Sequence, residues 1–337
     1  MTAALAGCGD LPPIRLQLGS GSGPERSFEG LVAADESEAV LVGRNILLAN
    51  GNAVDAAVAL GFALAVTLPS SAGLGGGGAC LIHDAERGVT EAIDFPAMPR
   101  GLFALHAKYG RVPWPQVVAP AENLARFGHT VSRAFAGDIA ADGAALMNDR
   151  TALTTFMTPG RQMLQAGDVF KQIDLATTLS NLRARGPGDV GRVPRWVAAA
   201  VRDEGATRRF FLPEGGANPQ EDARAGATGL VVADAGGSAV ACVLSMGRPF
   251  GLGIMPPGTG FLLAPSTDDL GPETIKPVLT PVIGINRADN SLVLATTSAG
   301  GLINMLTCAA NENTVPACQA RNDPRGAGYA VRLWPDD

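Results

Sequence analysis

Residues 226–246 read G-A-T-G-L-V-V-A-D-A-G-G-S-A-V-A-C-V-L-S-M. Two apolar, β-rich runs, 230–233 and 239–244, flank Asp234-Ala235-Gly236-Gly237, a sequence suited to a tight hairpin turn. Taken on its residues alone, the stretch is a buried hairpin of a domain that mixes helices and strands. Working outward, residues 36–49 have helical character, and Asn50-Gly51-Asn52 interrupts them. Residues 53–67, A-V-D-A-A-V-A-L-G-F-A-L-A-V-T, predict a helix apolar on nearly every face and therefore buried on most of them. Pro69-Ser70-Ser71 ends it. The glycine run 73–78 then leads into a strand over 79–84. It lacks the Lys-Ser/Thr of a phosphate-binding loop and precedes a strand, not a helix, so close backbone packing is the expected role.

Composition narrows the class. The 337 residues suffice for one large domain or two small ones. A hydrophobic share of 46%, 43 glycines and only 5% aromatics suit a packed α/β protein with many small-residue contacts. The net charge of −6 argues against a nucleic-acid partner. No run of eighteen apolar residues predicts a membrane-spanning helix.

Leu5-Ala6-Gly7-Cys8 matches a bacterial lipobox, in which the Cys is lipidated once a signal is removed. Met1-Thr2-Ala3-Ala4 carries no basic region and almost no apolar stretch, so the match is either a real lipobox or chance. On the first reading Cys8 carries the lipid, residues 9–23 are a tether, and the chain is periplasmic or membrane-anchored. Four cysteines remain. Cys308 and Cys318 flank a polar loop and could close it as a disulfide in an oxidising compartment. Cys80 and Cys242 lie in apolar runs and read as small core residues. No C-x-x-C occurs and the three His are scattered, so neither a metal nor another cofactor is expected.

The stretch 226–246 resembles the start of the small subunit of γ-glutamyltransferases, whose pattern is roughly T-T-H-x-S-V-V-D-x-x-G-N-A-V. Val231-Val232-Ala233-Asp234 and Gly237-Ser238-Ala239-Val240 match its later part. Residues 51–59 and 68–77 look like the G-G-N-A-V-D-A-A-V-A and E-P-x-S-S-G-I-G-G-G motifs of the large subunit. Further similar blocks lie at 106–114, 118–128, 172–183 and 250–263. The resemblance covers much of 30–185 and 226–303. It implies an α+β fold, the four-layer αββα sandwich of the N-terminal-nucleophile hydrolases, reduced in size. It also implies a lead at 1–30, one domain at 31–303 with large-subunit-like 31–226 and small-subunit-like 227–303, and a tail at 304–337.

The family cleaves itself before a Thr, whose freed α-amine then serves as the general base for its own hydroxyl. Aligned without a gap, that position is Ala227, and Thr228 takes the second Thr. Thr228 could substitute only by a one-residue slip, which turns its side chain to the other face. The family's D-[FY]-R-E motif supplies an Arg that holds the substrate carboxylate as a bidentate pair. Here it reads Asp94-Phe95-Pro96-Ala97. The substrate-binding Ser pair falls on Pro277 and Val278. Asp268-Asp269 matches the family's two carboxylates, of which Asp269 would bind the substrate amine. Gly300 and Gly301 match the oxyanion-hole glycines. The resemblance thus implies a fold kept and a chemistry lost. The expected role is a structural or binding subunit with protein partners in the cell envelope, touching the membrane only through a lipid anchor. The alternatives are a trimmed amidase or γ-glutamyl hydrolase using Thr228, and a periplasmic small-molecule binding protein that retains Asp269.

Overall fold

The computed structural model of the chain describes residues 30–188, 194–212, 226–265, 280–299, 302–309, 317–321 and 329–333. β1 (Gly30–Ala34) leads into α1 (Ser37–Leu48) and α2 (Ala53–Thr67). A hairpin of β2 (Gly77–Asp84) and β3 (Val89–Phe95) follows, then α3 (Met98–Tyr109) and α4 (Trp114–Phe127). A small aromatic lobe comes next: β4 (His129–Thr130), α5 (Arg133–Asp142), a 3-10 turn at Gly143–Asn148, α6 (Arg150–Thr155) and β5 (Val169–Phe170). α7 (Ile173–Arg185) returns to the main body beside α4. Three strands, β6 (Arg195–Val197), β7 (Ala200–Glu204) and β8 (Thr207–Phe211), precede the hairpin of β9 (Ala227–Asp234) and β10 (Ala239–Ser245). The chain continues through β11 (Thr280–Asn286), β12 (Leu292–Ala299), β13 (Leu302–Ala309), β14 (Ala317–Arg321) and β15 (Tyr329–Leu333).

Two sheets stack. The first has the order β15-β1-β9-β10-β2-β3-β6, and the second β14-β13-β12-β11-β8-β7. The alternation of strand side chains decides which face each residue joins. In β9, Leu230 and Val232 face the helices, with Phe62, Leu60 and Leu244 in the same core. Val231 and Ala233 face the second sheet and meet Ile283, Ile285, Ala295 and Leu306. β9 lies inside the first sheet, bonded to β1 on one side and β10 on the other, so neither edge is open.

α2 is the buried pillar of the helical layer, and all fifteen of its residues are buried. Its Ala, Val and Leu residues leave no polar face, so only a site enclosed on all sides suits it. Full burial of each large side chain, such as Phe62 or Leu64, stabilises by about 1.5–3 kcal/mol. A capping box starts the helix: Asn52 Oδ1 accepts from the Asp55 N–H at 2.9 Å, and Asp55 Oδ2 accepts from the Asn52 N–H at 3.0 Å. Asp234, at the hairpin turn, accepts from the Ala53 N–H at 2.9 Å. The turn of β9–β10 and the start of α2 are thereby fixed to each other.

The structure departs from the sequence expectations at three places. Cys80 and Cys242 are core residues, but they face each other across β2 and β10 and are joined in a disulfide. Their positions in sequence, 162 residues apart, gave no hint of the pairing. Gly30, assigned to the lead, begins β1, and residues 1–29 lie outside the described residues. The segment 304–337 is no appended tail. It completes β13 and supplies β14 to the second sheet and β15 to the first. Among the described residues, every apolar cluster that contains a helix joins it to the first sheet or to the small lobe, and none joins one to the second sheet. Cys308 is disulfide-bonded and stands opposite Cys318 in the β13–β14 register.

Candidate active site

β9 begins at the position where the resemblance puts the nucleophile. Gly226, at φ +55°, delivers the chain into the strand. A Cβ there would stand 2.1 Å from the Arg248 carbonyl carbon, so no other residue fits. The Gly226 carbonyl accepts from the Met246 N–H at 2.8 Å and from Ser245 Oγ at 3.2 Å. Ala227 pairs with Ser245, and Thr228 pairs with Leu244. The β9–β10 register runs unbroken from Ala227 to Ala233, so no bulge reorients Thr228. Thr228 therefore shares the helix-facing side with Leu244, Leu230 and Val232, while Ala227 shares the other side with Gly229 and Val231. Thr228 is fully buried, whereas Ala227 keeps 8% of its surface exposed.

The Thr228 hydroxyl is engaged. It donates to Asp35 Oδ2 at 2.6 Å, and the Gly229 N–H donates to the same oxygen at 3.1 Å. Asn304 Nδ2, from β13, donates to Asp35 Oδ1 at 2.8 Å and to the Gly229 carbonyl at 3.1 Å. Asp35 follows directly on β1, so this buried carboxylate ties β1 and β9 of the first sheet to β13 of the second. Three donors surround the carboxylate, which is how a buried acid group is accommodated. Thr297 stands opposite Asn304 in the β12–β13 ladder and is also fully buried.

The neighbouring residue is a second buried acid. Burial pushes the Glu36 carboxyl up to about 8, the Ser132 hydroxyl bond opposes the rise, and the nearby Asp35, Asp138 and Glu38 charges add to it. Ser132 caps the start of α5 and donates to Glu36 Oε1. Ser70 donates to Asp138 Oδ2 at 2.5 Å, so α5 is bound to the β1–α1 corner and to the end of α2. At neutral pH Glu36 is largely protonated and adds little charge to the corner.

The remaining sequence-designated residues divide clearly. Pro96 is exposed at the end of β3, against the glycine run, where its ring offers no donor to a carboxylate. Arg100 is half-buried and already engaged. The glycine run packs backbone on backbone: a Cβ at Gly75 would stand 2.2 Å from the Leu262 carbonyl, and one at Gly76 would stand 2.4 Å from that of Ser245. Cys8, Asp269, Pro277, Val278, Gly300 and Gly301 lie outside the described residues. The structure thus joins Thr228 to Asp35, Asn304 and Thr297, none of which the sequence reading singled out. The doublet Asp35-Glu36, directly after the apolar run 30–34, was the available signal. Charged residues at a strand–helix junction read as surface unless the register of the next sheet is known. Among the described residues, no cluster of three or more His, Cys, Asp or Glu is arranged to hold a metal ion. No described helix is long and apolar enough to cross a membrane.

Comparison with known proteins places this geometry in a family. A family model described as gamma-glutamyltranspeptidase matches residues 39–96 and 87–209. The glutathione hydrolase proenzyme of Escherichia coli (strain K12) is 33% identical over 219 residues, 54% of this chain and 37% of that protein. Glutathione hydrolase 7 of Mus musculus is 34% identical over 191 residues, 49% of this chain and 28% of that protein. The matched region therefore spans well under half the length of these relatives. Cephalosporin acylase from Bacillus halodurans shares the fold with a TM-score of 0.65 at 18% identity, over 84% of this chain and 80% of that one. With its two stacked sheets, its helices on the first of them and β9 inside that sheet, the chain has the α+β fold of the N-terminal-nucleophile hydrolases and belongs to the γ-glutamyltranspeptidase family.

Proposed function

We propose that the chain keeps the family fold without self-cleavage or amide chemistry, and that it serves as a structural or binding subunit of a cell-envelope assembly. The observation that carries this reading is the start of β9. Ala227 stands where the resemblance puts the nucleophile, and its methyl can neither attack the preceding carbonyl nor an amide substrate. The next hydroxyl along the strand, on Thr228, faces the helices, is fully buried and is bonded to Asp35. Pro96 adds to it, because a substrate carboxylate brought there without an Arg partner is left unpaired. The Cys80–Cys242 disulfide supports an oxidising, extracytoplasmic setting, in keeping with lipidation at Cys8.

Purified chain run on a denaturing gel is expected as one band near 34.4 kDa, with no product released from a γ-glutamyl anilide. Ala227→Thr alone is expected to leave that activity absent, since Pro96, Pro277 and Val278 still lack the polar contacts. The rival reading, an amide hydrolase using Thr228, is favoured by the activity in the names of the relatives. Two fragments meeting near residue 227, with an activity lost in Thr228→Ala, would establish it and overturn the first.

A further inference from the structure

The amide group of Asn304 can be oriented without ambiguity. Its nitrogen meets Asp35 Oδ1 and the Gly229 carbonyl, at 2.8 and 3.1 Å. Both are placed to accept, so a flipped amide would set an oxygen against two oxygens. Asn304 Oδ1 therefore points elsewhere, and among the described residues it has no hydrogen-bond partner. Thr297 Oγ1 has none among them either. The two residues are direct partners across β12 and β13, and both are fully buried between the sheets. Direct partners across an antiparallel ladder hold their Cβ atoms about 4.5–5.5 Å apart, within the span of one bridging molecule.

Gly229 shapes the same place from the opposite sheet. A Cβ built on it would stand 2.3 Å from Thr297 Oγ1 and 3.5 Å from Asn304 Nδ2. The glycine is what lets the Thr297 side chain approach β9 this closely. Asn304 Oδ1, the Asp35 carboxylate and the Gly229 carbonyl are all acceptors, and only the Thr297 hydroxyl offers either role. Whatever binds must donate, must be polar and must be very small. Buried polar atoms in native proteins are almost always paired, and an internal water is the usual partner where no side chain reaches.

We propose that Asn304 and Thr297 hold one internal water molecule between their side chains. The water donates one hydrogen to Asn304 Oδ1 and shares a second hydrogen bond with Thr297 Oγ1. It closes the polar junction that joins β1 and β9 to β12 and β13, one residue from Thr228. The junction is then part of what holds the two sheets in register at this end of β9, and it does not depend on any catalytic role.

A high-resolution crystal structure of the wild-type chain and the variant Thr297→Val test it together. Solvent density within hydrogen-bonding distance of both Asn304 Oδ1 and Thr297 Oγ1 is expected. A direct bond between the two side chains, with no density beside them, overturns the proposal. Val matches Thr in shape and replaces the hydroxyl with a methyl. If the hydroxyl is bonded to water, Thr297→Val lowers the melting temperature. If it is an unpaired buried group, its removal leaves the melting temperature unchanged or raises it, which refutes the bridge.

Discussion

A methyl at residue 227 and a hydroxyl at 228 sit on opposite faces of one strand, by the alternation of β9. Thr228 donates to Asp35 beside the Gly229 N–H and Asn304 Nδ2. Glu36, beside it, makes a sharper test of the buried corner. Its carboxyl rises from an ordinary value near 4.5 to about 8, chiefly by burial, against the Ser132 hydroxyl bond. Between those values the folded chain holds a proton that the unfolded chain has released. Stability from this group is therefore present below about pH 4.5 and declines as pH rises toward 8. Asp35, Asp138 and Glu38 face the same carboxyl and steepen the penalty for ionising it. Glu36→Gln, a neutral near-isostere, is expected to be more stable than wild type at pH 8–9, by several kcal/mol at most. Urea unfolding of both proteins from about pH 4.5 to 9 measures it, with the difference growing between the two values and levelling off above pH 8. A wild-type to variant difference that does not change with pH would show that Glu36 ionises normally.

At the level of elements, α2 depends on a few polar contacts at its first turn, because none of its own surface can be satisfied by water. Asn52 does two things there: Oδ1 caps the Asp55 N–H at 2.9 Å, and Nδ2 donates to the Tyr109 carbonyl at 2.7 Å, which fastens the end of α3. Asn52→Ala is expected to destabilise the chain by about 1–2 kcal/mol, read as a lower denaturation midpoint with an unchanged slope. An unaltered midpoint would mean that Asp234 alone suffices to start the helix. The bounds of α2, the β9–β10 hairpin and the packing role of the glycine run were legible because each is local: an all-apolar period, an Asp-Ala-Gly-Gly turn, and glycines without a Lys-Ser/Thr. The Asp35–Thr228–Asn304 junction was not legible. Its members lie 193 and 269 residues apart along the chain and meet only once both sheets are formed. The Cys80–Cys242 bridge escaped for the same reason, since apolar neighbours make a cysteine read as core whether or not it is paired. Ala227 could be assigned from sequence because the resemblance supplied the register. The burial and orientation of Thr228 needed the sheet.

For the whole molecule, the decisive feature is that the first and last described strands pair in one sheet. β15 runs antiparallel to β1, with Gly30 opposite Leu333 and Ala34 opposite Tyr329. β1 is buried along its whole length, and Leu333 is fully buried and belongs to the helix-side core. A Cβ at Gly30 would stand 2.7 Å from Leu47 and 3.5 Å from Leu333, so the ends of β1, α1 and β15 are in close contact. Sequence reading took residues 304–337 for a tail because the resemblance stops at residue 303, and only pairing with existing strands makes 317–321 and 329–333 sheet. Deleting residues 322–337 should therefore do more than shorten the protein. It uncovers the backbone edge of β1, whose apolar residues Leu31, Val32, Ala33 and Ala34 are otherwise all buried. An exposed, apolar, flat edge is a template for pairing with another chain. The deletion is expected to convert a soluble species into higher oligomers or precipitate, seen by size-exclusion chromatography with light scattering at matched concentration. Charging the new edge with Val32→Lys should not rescue it, because Val32 faces the helix-side core and not solvent. A deleted chain that elutes and melts like the full-length protein would show that β15 merely lies against the sheet, and that the first sheet ends at β1.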